Sequence, residues 1–265
     1  MFAHALSYWR LVTAYWRLNL NAHLEYRAAF ISQALAMFVN NGFWLSFWMI
    51  FFARFPALGG WKLEDIITMW CVVSSAYGVA HTFCGNVAFL PTLIAKGQLD
   101  AWMLYPRALL SHFVLGKMSA TACGDALFGF VVYGAFCHPD WQHFLLFTFM
   151  VLSAAGMFLA FGIITGSLGF FFGNAERLSE EFRFALITFG TYPETLFKGG
   201  VRLLLYTVIP AGFVAYLPVS ALRSFSLMQA LLAFSGTVGF MFIATAIFYY
   251  GLSRYESGNL MELRG

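Results

Sequence analysis

Charge is what this sequence has least of. Asp, Glu, Lys and Arg together make up 10% of its 265 residues, where a soluble domain carries roughly 25%. A water-soluble fold is excluded, because there is too little polar surface to face solvent. Paired cysteines are missing too. Cys71, Cys84, Cys123 and Cys137 fall in or beside apolar runs with no CxxC, which excludes a disulfide framework and reads as free thiols among packed helices. No GxxxxGK followed by Ser or Thr occurs, so the chain has no P-loop of its own. No small-residue cleavage pattern follows the early stretch holding Arg10, Arg17 and Glu25, so no removable signal peptide is expected. The net charge of +3 is small and gives no reason to expect nucleic acid as a partner.

What is present is apolar. Hydrophobic residues make up 61% of the chain and aromatics 20%, with 32 Phe; lipid tails accept that area, and a soluble core of this length does not. A span of the hydrocarbon core needs about 20 apolar residues. Residues 28–53, 66–90, 108–136, 144–173 and 224–253 meet that need, the third interrupted by Lys117 and Asp125. The fold class expected is an all-α membrane protein of about six spans in one domain.

Residues 174–223 admit two readings. In one, residues 182–197 cross as a short fifth span and residues 200–222 form a re-entrant outer segment, broken by Pro210 and Pro218. In the other, 174–198 lie on the membrane surface and 200–222 cross. Lys and Arg placement puts both termini in the cytoplasm either way: nine such residues against five in the first reading, eleven against three in the second. Charge prefers the second; the prolines prefer the first.

Residues 1–27 carry a local repeat, Tyr8-Trp9-Arg10-Leu11 and Tyr15-Trp16-Arg17-Leu18. Seven residues are nearly two helical turns, so the two Trp share one face and the two Arg another. Rings at headgroup level beside snorkelling arginines describe an interfacial helix, or equally an amphipathic lead-in to the first span.

The most informative segment lies between the second and third spans, residues 91–107. Lys96 and Gly97 lead through Gln98 to Leu99, Asp100, Trp102 and Leu104, then Pro106 and Arg107. Gly97 suggests a turn into a small helix that Pro106 stops. Leu99, Trp102 and Leu104 exceed what a solvated turn needs. They suit either docking to another protein or dipping into headgroups.

Within the third run, a charge at the bilayer centre costs roughly 2.5–3.5 kcal/mol on insertion scales. Lys117 can snorkel toward the headgroups. Asp125 sits deeper and needs a polar partner or a water-lined cavity, which makes it either part of a pathway or subunit interface, or a buried acid bonded to a neighbouring helix. Asn40, Asn41, His81 and Asn86 read as interhelical glue. Gly162, Gly166, Gly169 and Gly173 permit close helix approach, by default inside one subunit. Cys137-His138-Pro139-Asp140-Trp141-Gln142-His143 matches no established metal-ligand spacing, so no metal is expected. A secondary transporter or a membrane-embedded enzyme is the alternative class. Asp125 is the lone midplane carboxylate for the former, with no related halves, and His81 with Asp125 is too little for the latter.

The pattern Gly97-x-Leu99-Asp100-x-x-Met103-Leu104-x-Pro106 resembles the coupling segment of ABC-2 type permeases, specifically the uncharacterised transport-permease group. Tyr192-Pro193-Glu194, then Pro210 and Pro218, are similar to the proline-marked outer segment before the last span of that group. The resemblance implies a permease subunit without catalytic activity in the bacterial inner membrane, pairing with a second permease, identical or related. It also implies cytoplasmic ATPase subunits that hold ATP and Mg, with no cofactor in this chain, and it favours export. The likeness favours the re-entrant reading of 200–222. It implies that replacing Leu99 and Trp102 together by charged residues uncouples the ATPase and leaves insertion intact. The substrate is not written in the residues; aromatic spans suit an amphipathic cargo, but lipid contact demands them as well.

Overall fold

The computed structural model describes residues 2–105 and 108–255, and within them every regular element is helical apart from an isolated bridge between Leu58 and Trp61. Helix α1 (Phe2–Glu25) is followed by α2 (Arg27–Arg54) and α3 (Leu63–Cys84). A 3-10 turn, Gly85–Phe89, joins α3 to α4 (Leu90–Ala95), whose second residue, Pro91, takes a position where a missing N–H is harmless. Two short pieces come next, α5 (Asp100–Met103) and α6 (Leu109–Val114), then α7 (Ala120–Cys137), α8 (Trp141–Gly166), α9 (Gly169–Phe172) and α10 (Glu176–Gly190). The chain closes with α11 (Gly200–Thr207), a π-helical turn at Gly212–Tyr216, α12 (Leu217–Ser224) and α13 (Leu227–Leu252).

Among the described residues five stretches are long and apolar enough to cross a membrane: Arg27–Arg54, Leu63–Ala95, Ala120–Cys137, Trp141–Phe172 and Leu227–Leu252. Counting the pair Gly200–Thr207 and Gly212–Ser224 as one makes six. Leu63–Ala95 is covered on nearly all sides and forms the centre with α8, whereas α2 and α13 bury one stripe and leave the rest uncovered.

The third run departs from the helix expected over 108–136. It stops after α6, and five residues pass before α7 begins. Distant groups take up the backbone polar atoms that the break frees. The Asn86 amide donates to the Phe113 carbonyl at 2.8 Å, the Ser119 N–H to the His81 carbonyl at 3.1 Å, and the Met118 N–H to Asn19 Oδ1 at 3.4 Å. Buried backbone groups must find partners, and here α1, α3 and the 3-10 turn after it supply them. Lys117 therefore sits in the break, exposed, with Nζ 3.8 Å from the centre of the Phe89 ring, and not inside a helix.

Helix α1 lies against this same end of the bundle. The Trp9 and Trp16 rings meet edge to face at 6.3 Å, as their seven-residue spacing requires, and Trp16 also touches Phe83.

Helix α10 has 15 residues, roughly 22 Å at 1.5 Å per residue. It starts beside Lys96, Arg254 and Tyr255 and its last residue, Gly190, packs on Val73; just beyond it, Tyr192 meets Trp48. It thus runs from the α5 end of the bundle toward the other. The bent pair follows, turning by 78°. Glu194, just before α11, accepts from Arg202 Nε at 2.7 Å, and Arg223 at the end of α12 pairs with Asp65 at the start of α3. The Asp65 contact holds the end of α12 at the end of the bundle opposite α5, and the bend is that of a broken span or a re-entrant segment. Pro210 removes a backbone donor at the bend, and Tyr216 anchors the returning limb by donating to the Phe189 carbonyl at 2.7 Å.

Asp65 and Arg223 make two contacts, at 2.7 and 2.5 Å, and the guanidinium also lies 5.4 Å from the Trp61 ring centre. Arg223 is half exposed, so a double-mutant cycle of Asp65→Asn with Arg223→Gln, read by thermal unfolding in detergent, should return a coupling of about 0.5–1 kcal/mol.

Candidate functional site

Two places concentrate polar or unusual chemistry: the segment around α5, and a cavity beside Asp125. The first begins at Gly97, whose φ of +66° makes the turn between α4 and α5, a conformation that favours glycine. The turn directs Leu99 inward, where it is fully buried among Leu90, Ile94, Leu110, Phe113 and Phe248. Trp102 is half-buried, edge to face on Phe113 at 5.4 Å and on His112 at 5.3 Å, with its rim over Gly116. The apolar surplus at Leu99 and Trp102 is therefore a foundation, not an outward face. What faces outward is Met103, Leu104 and Tyr105, with Leu104 86% exposed. Asp100 lies beside Tyr255; burial and then that carboxylate push the tyrosine hydroxyl up to about 12. Lys96 is exposed and lines a hollow of about 540 Å³ with Glu176, Arg254 and Tyr255. Pro106 and Arg107 lie outside the described residues.

His112 joins this segment to the start of the chain. The Tyr15 hydroxyl lies 3.0 Å from its ring Nε2, and Tyr105 packs on the ring at 4.6 Å. His23 reaches the Met118 carbonyl at 3.3 Å. Helix α1 therefore holds both the α5 segment and the break before α7.

The cavity has a volume of about 480 Å³ and lies between α2, α3, α7 and α10. Asp125 lines it and is 4% exposed. Its Oδ1 accepts from Asn41 Nδ2 at 2.6 Å, and Asn41 Oδ1 accepts from Trp70 Nε1 at 3.1 Å. Indole N–H can only donate, which fixes the Asn41 amide with its nitrogen toward Asp125. That nitrogen also donates to the Met37 carbonyl at 2.9 Å. Among the described residues Asp125 Oδ2 is buried without a hydrogen-bond partner. The wall is aromatic: Trp44, Phe47, Trp48, Trp70, Tyr77, Phe184 and Tyr192. Lys117 and Asp125, paired as candidates by sequence, are not brought together.

Close backbone contact seats Asp125. A Cβ on Gly124 would fall 2.0 Å from the Ala34 carbonyl oxygen, and one on Gly129 would fall 2.3 Å from the Cys71 carbonyl oxygen. The side chains missed by sequence reasoning are Trp70, Tyr77, Phe184 and Thr188. The one signal toward them is that a buried acid needs a polar partner.

A protein-family model described as ABC-2 family transporter protein matches residues 38–258, which takes in α3 to α13, the cavity and the α5 segment. The chain belongs to the ABC-2 transporter family. It is a multi-pass membrane component of an ABC transporter, a membership that implies ATPase partners. Comparison with curated proteins and with solved structures finds no match.

In this ABC-2 protein the other residues singled out by sequence have structural explanations. Tyr192 meets the Trp48 ring at 5.8 Å, and buried Pro193 caps the short 3-10 turn Glu194–Leu196. Glu194 takes the Tyr206 hydroxyl at 3.1 Å as well as Arg202. Pro210 and Pro218 are both buried in the bent pair. Gly162, Gly166 and Gly169 pack in register on Val87, Leu90 and Ile94, inside the subunit. Asp140 is the N-cap of α8, accepting the His143 N–H at 2.8 Å, and this bond with the ring contact from His143 holds its carboxyl below the usual range. The cap is intact above the ordinary carboxylate pKa and is lost as pH falls through the depressed value.

Proposed function

We propose that this protein is the permease subunit of an ABC exporter in the bacterial inner membrane, driven by a separate ATPase that docks on the α5 segment. The observation that carries the reading is the exposed apolar trio Met103, Leu104 and Tyr105, held on a base of buried Leu99 and packed Trp102. An exposed Leu on a firm support is what a partner cleft can grip, and a gripped segment transmits rigid motion into the helices attached to it. Here those helices are α4, continuous with α3, and α6, linked to α7. The segment and both termini are cytoplasmic in this reading, as the Lys and Arg distribution favours. The uncovered faces of α2 and α13 serve lipid and a second permease, identical or related.

The test is purification through a tag on the full chain with its native membrane. A P-loop ATPase should co-purify, and Met103→Glu with Leu104→Glu should lower its recovery roughly thirtyfold, as loss of an apolar anchor of about 2 kcal/mol predicts. Recovery unchanged by the double substitution, with the protein still monodisperse, rejects this docking site. The buried carboxylate of Asp125 favours one second reading, an ATP-independent carrier. That reading requires uptake or efflux by the purified chain alone in liposomes, which the proposed function forbids.

A further inference from the structure

We propose that the cavity beside Asp125 binds an organic cation, an ammonium or phosphonium group attached to an apolar body, with Asp125 as its counter-ion. Calling that ligand the cargo rests on the exporter reading; its binding does not.

The argument starts from unequal carboxylate oxygens. Oδ1 has a donor, Asn41 Nδ2 at 2.6 Å, and both Asn41 amide hydrogens are committed, to Asp125 and the Met37 carbonyl, while its oxygen accepts from Trp70. Oδ2 is buried with none among the described residues. Among the described residues no Lys, Arg or His forms an ion pair with Asp125. A buried acidic group left half satisfied is costly, and persists where something outside the chain completes it.

The surroundings then select the kind of completion. Three indoles stand in the same cavity wall as Asp125: Trp44 and Trp70 stack with ring centres 6.2 Å apart and an interplanar angle of 25°, and Trp48 adds a third, beside hydroxyls of Ser74, Tyr77 and Thr188. Indole faces attract cations and pack against apolar groups, and they repel anions. An anionic ligand is thus opposed twice, by carboxylate and by ring. A volume of about 480 Å³ lies in the range that holds a drug-sized molecule. The rim is formed by Trp44, Phe47 and Phe184, all more than half exposed, so the opening is lateral, between α2 and α10. A ligand with an apolar body reaches such an opening from the lipid side.

The chemistry has two natural sources, a free lipophilic cation and the ammonium headgroup of a phospholipid, and the test separates them. Purified full-length chain in dodecyl maltoside, a non-ionic detergent, is titrated with radiolabelled tetraphenylphosphonium by equilibrium dialysis, with tryptophan fluorescence recorded in parallel. Saturable binding with tryptophan quenching is expected, and neutral triphenylphosphine should bind at least about tenfold more weakly, one ion-pair's worth. Asp125→Asn, which keeps the oxygen that Asn41 donates to, should weaken tetraphenylphosphonium binding by a similar factor. Trp44→Leu at the rim should weaken it several-fold. Competition by phosphatidylethanolamine identifies a lipid headgroup as the natural source; its failure to compete identifies a free cation. No saturable binding, equal binding of the neutral analogue, or equal binding by folded Asp125→Asn overturns the proposal. If Asp125→Asn does not fold, the comparison of cation with neutral analogue on the unaltered protein decides alone. ATPase recovery from the same membranes reports separately on the docking reading, so the two can fail independently.

Discussion

Gly124→Val should abolish recovery of folded protein, while Gly134→Val, ten residues further along the same helix, should leave it nearly unchanged. The added Cβ at position 124 meets the Ala34 carbonyl oxygen at 2.0 Å and its Cα at 3.0 Å. Backbone cannot rotate aside as a side chain can, so α7 must move off α2 by more than an ångström. That movement separates Asp125 from Asn41, whose bond spans the same two helices, and leaves the acid buried without its only donor. Overpacking alone costs about 1–3 kcal/mol and an orphaned buried carboxylate about as much again. Position 134 has nothing within 4 Å of a Cβ. Fluorescence-detected size exclusion of tagged variants in detergent measures the outcome. Comparable monodisperse peaks for the two would show that α2 and α7 do not meet as described.

Leu99→Glu should be nearly as damaging, and its contrast with Leu104→Glu is the sharper result. Leu99 has no exposed surface and sits within the apolar cluster that joins α4, α6, α8 and α13. A carboxylate there is an unpaired buried charge, in the range of about 3–5 kcal/mol. Leu104 is 86% exposed, and a charge there should alter thermal stability by no more than about 0.5 kcal/mol. A variant combining Leu99 and Trp102 changes is therefore a poor probe of docking, because it removes the support along with the contact. If Leu99→Glu melts within a degree or two of the unaltered protein, the inward placement of this side chain is wrong.

These two residues show what could be read in advance. Four spans were legible because about 20 residues without charge have one stable environment in a membrane protein, and the run holding Lys117 and Asp125 was legible as a span only from Ala120 onward. The family was legible in the short pattern from Gly97 to Pro106, and the turn at Gly97 followed from glycine's tolerance of positive φ. A lone Leu in a charged loop has two physical outcomes, inward or outward, and local sequence does not choose between Leu99 and Leu104. The break after α6 was hidden for a related reason. Its carbonyls and N–H groups are satisfied by Asn19, His23, His81 and Asn86, which lie 27 to 99 positions away in the chain and leave no mark on residues 115–119. The bent pair was open between two readings because its prolines and its charges point opposite ways. The contact of Asp65 with Arg223 fixes where α12 ends, and the 78° bend is common to a broken span and a re-entrant segment. For the cavity, Asp125 announced a need and Asn41 could answer it, but the indole that orients Asn41 carries no signal of its own.

The length of the central stretch has a further consequence. Leu63–Ala95 is 33 residues, α3 and α4 joined by a 3-10 turn, roughly 50 Å of path against a hydrocarbon thickness of about 30 Å. Under the docking reading, the excess over one straight crossing lets the stretch tilt, with its start fastened at Asp65 and its Ala95 end leading to the α5 segment. If a partner loads Leu104, that load runs along this stretch, whose α3 part meets α7 at Gly78 and Ala126, next to Asp125.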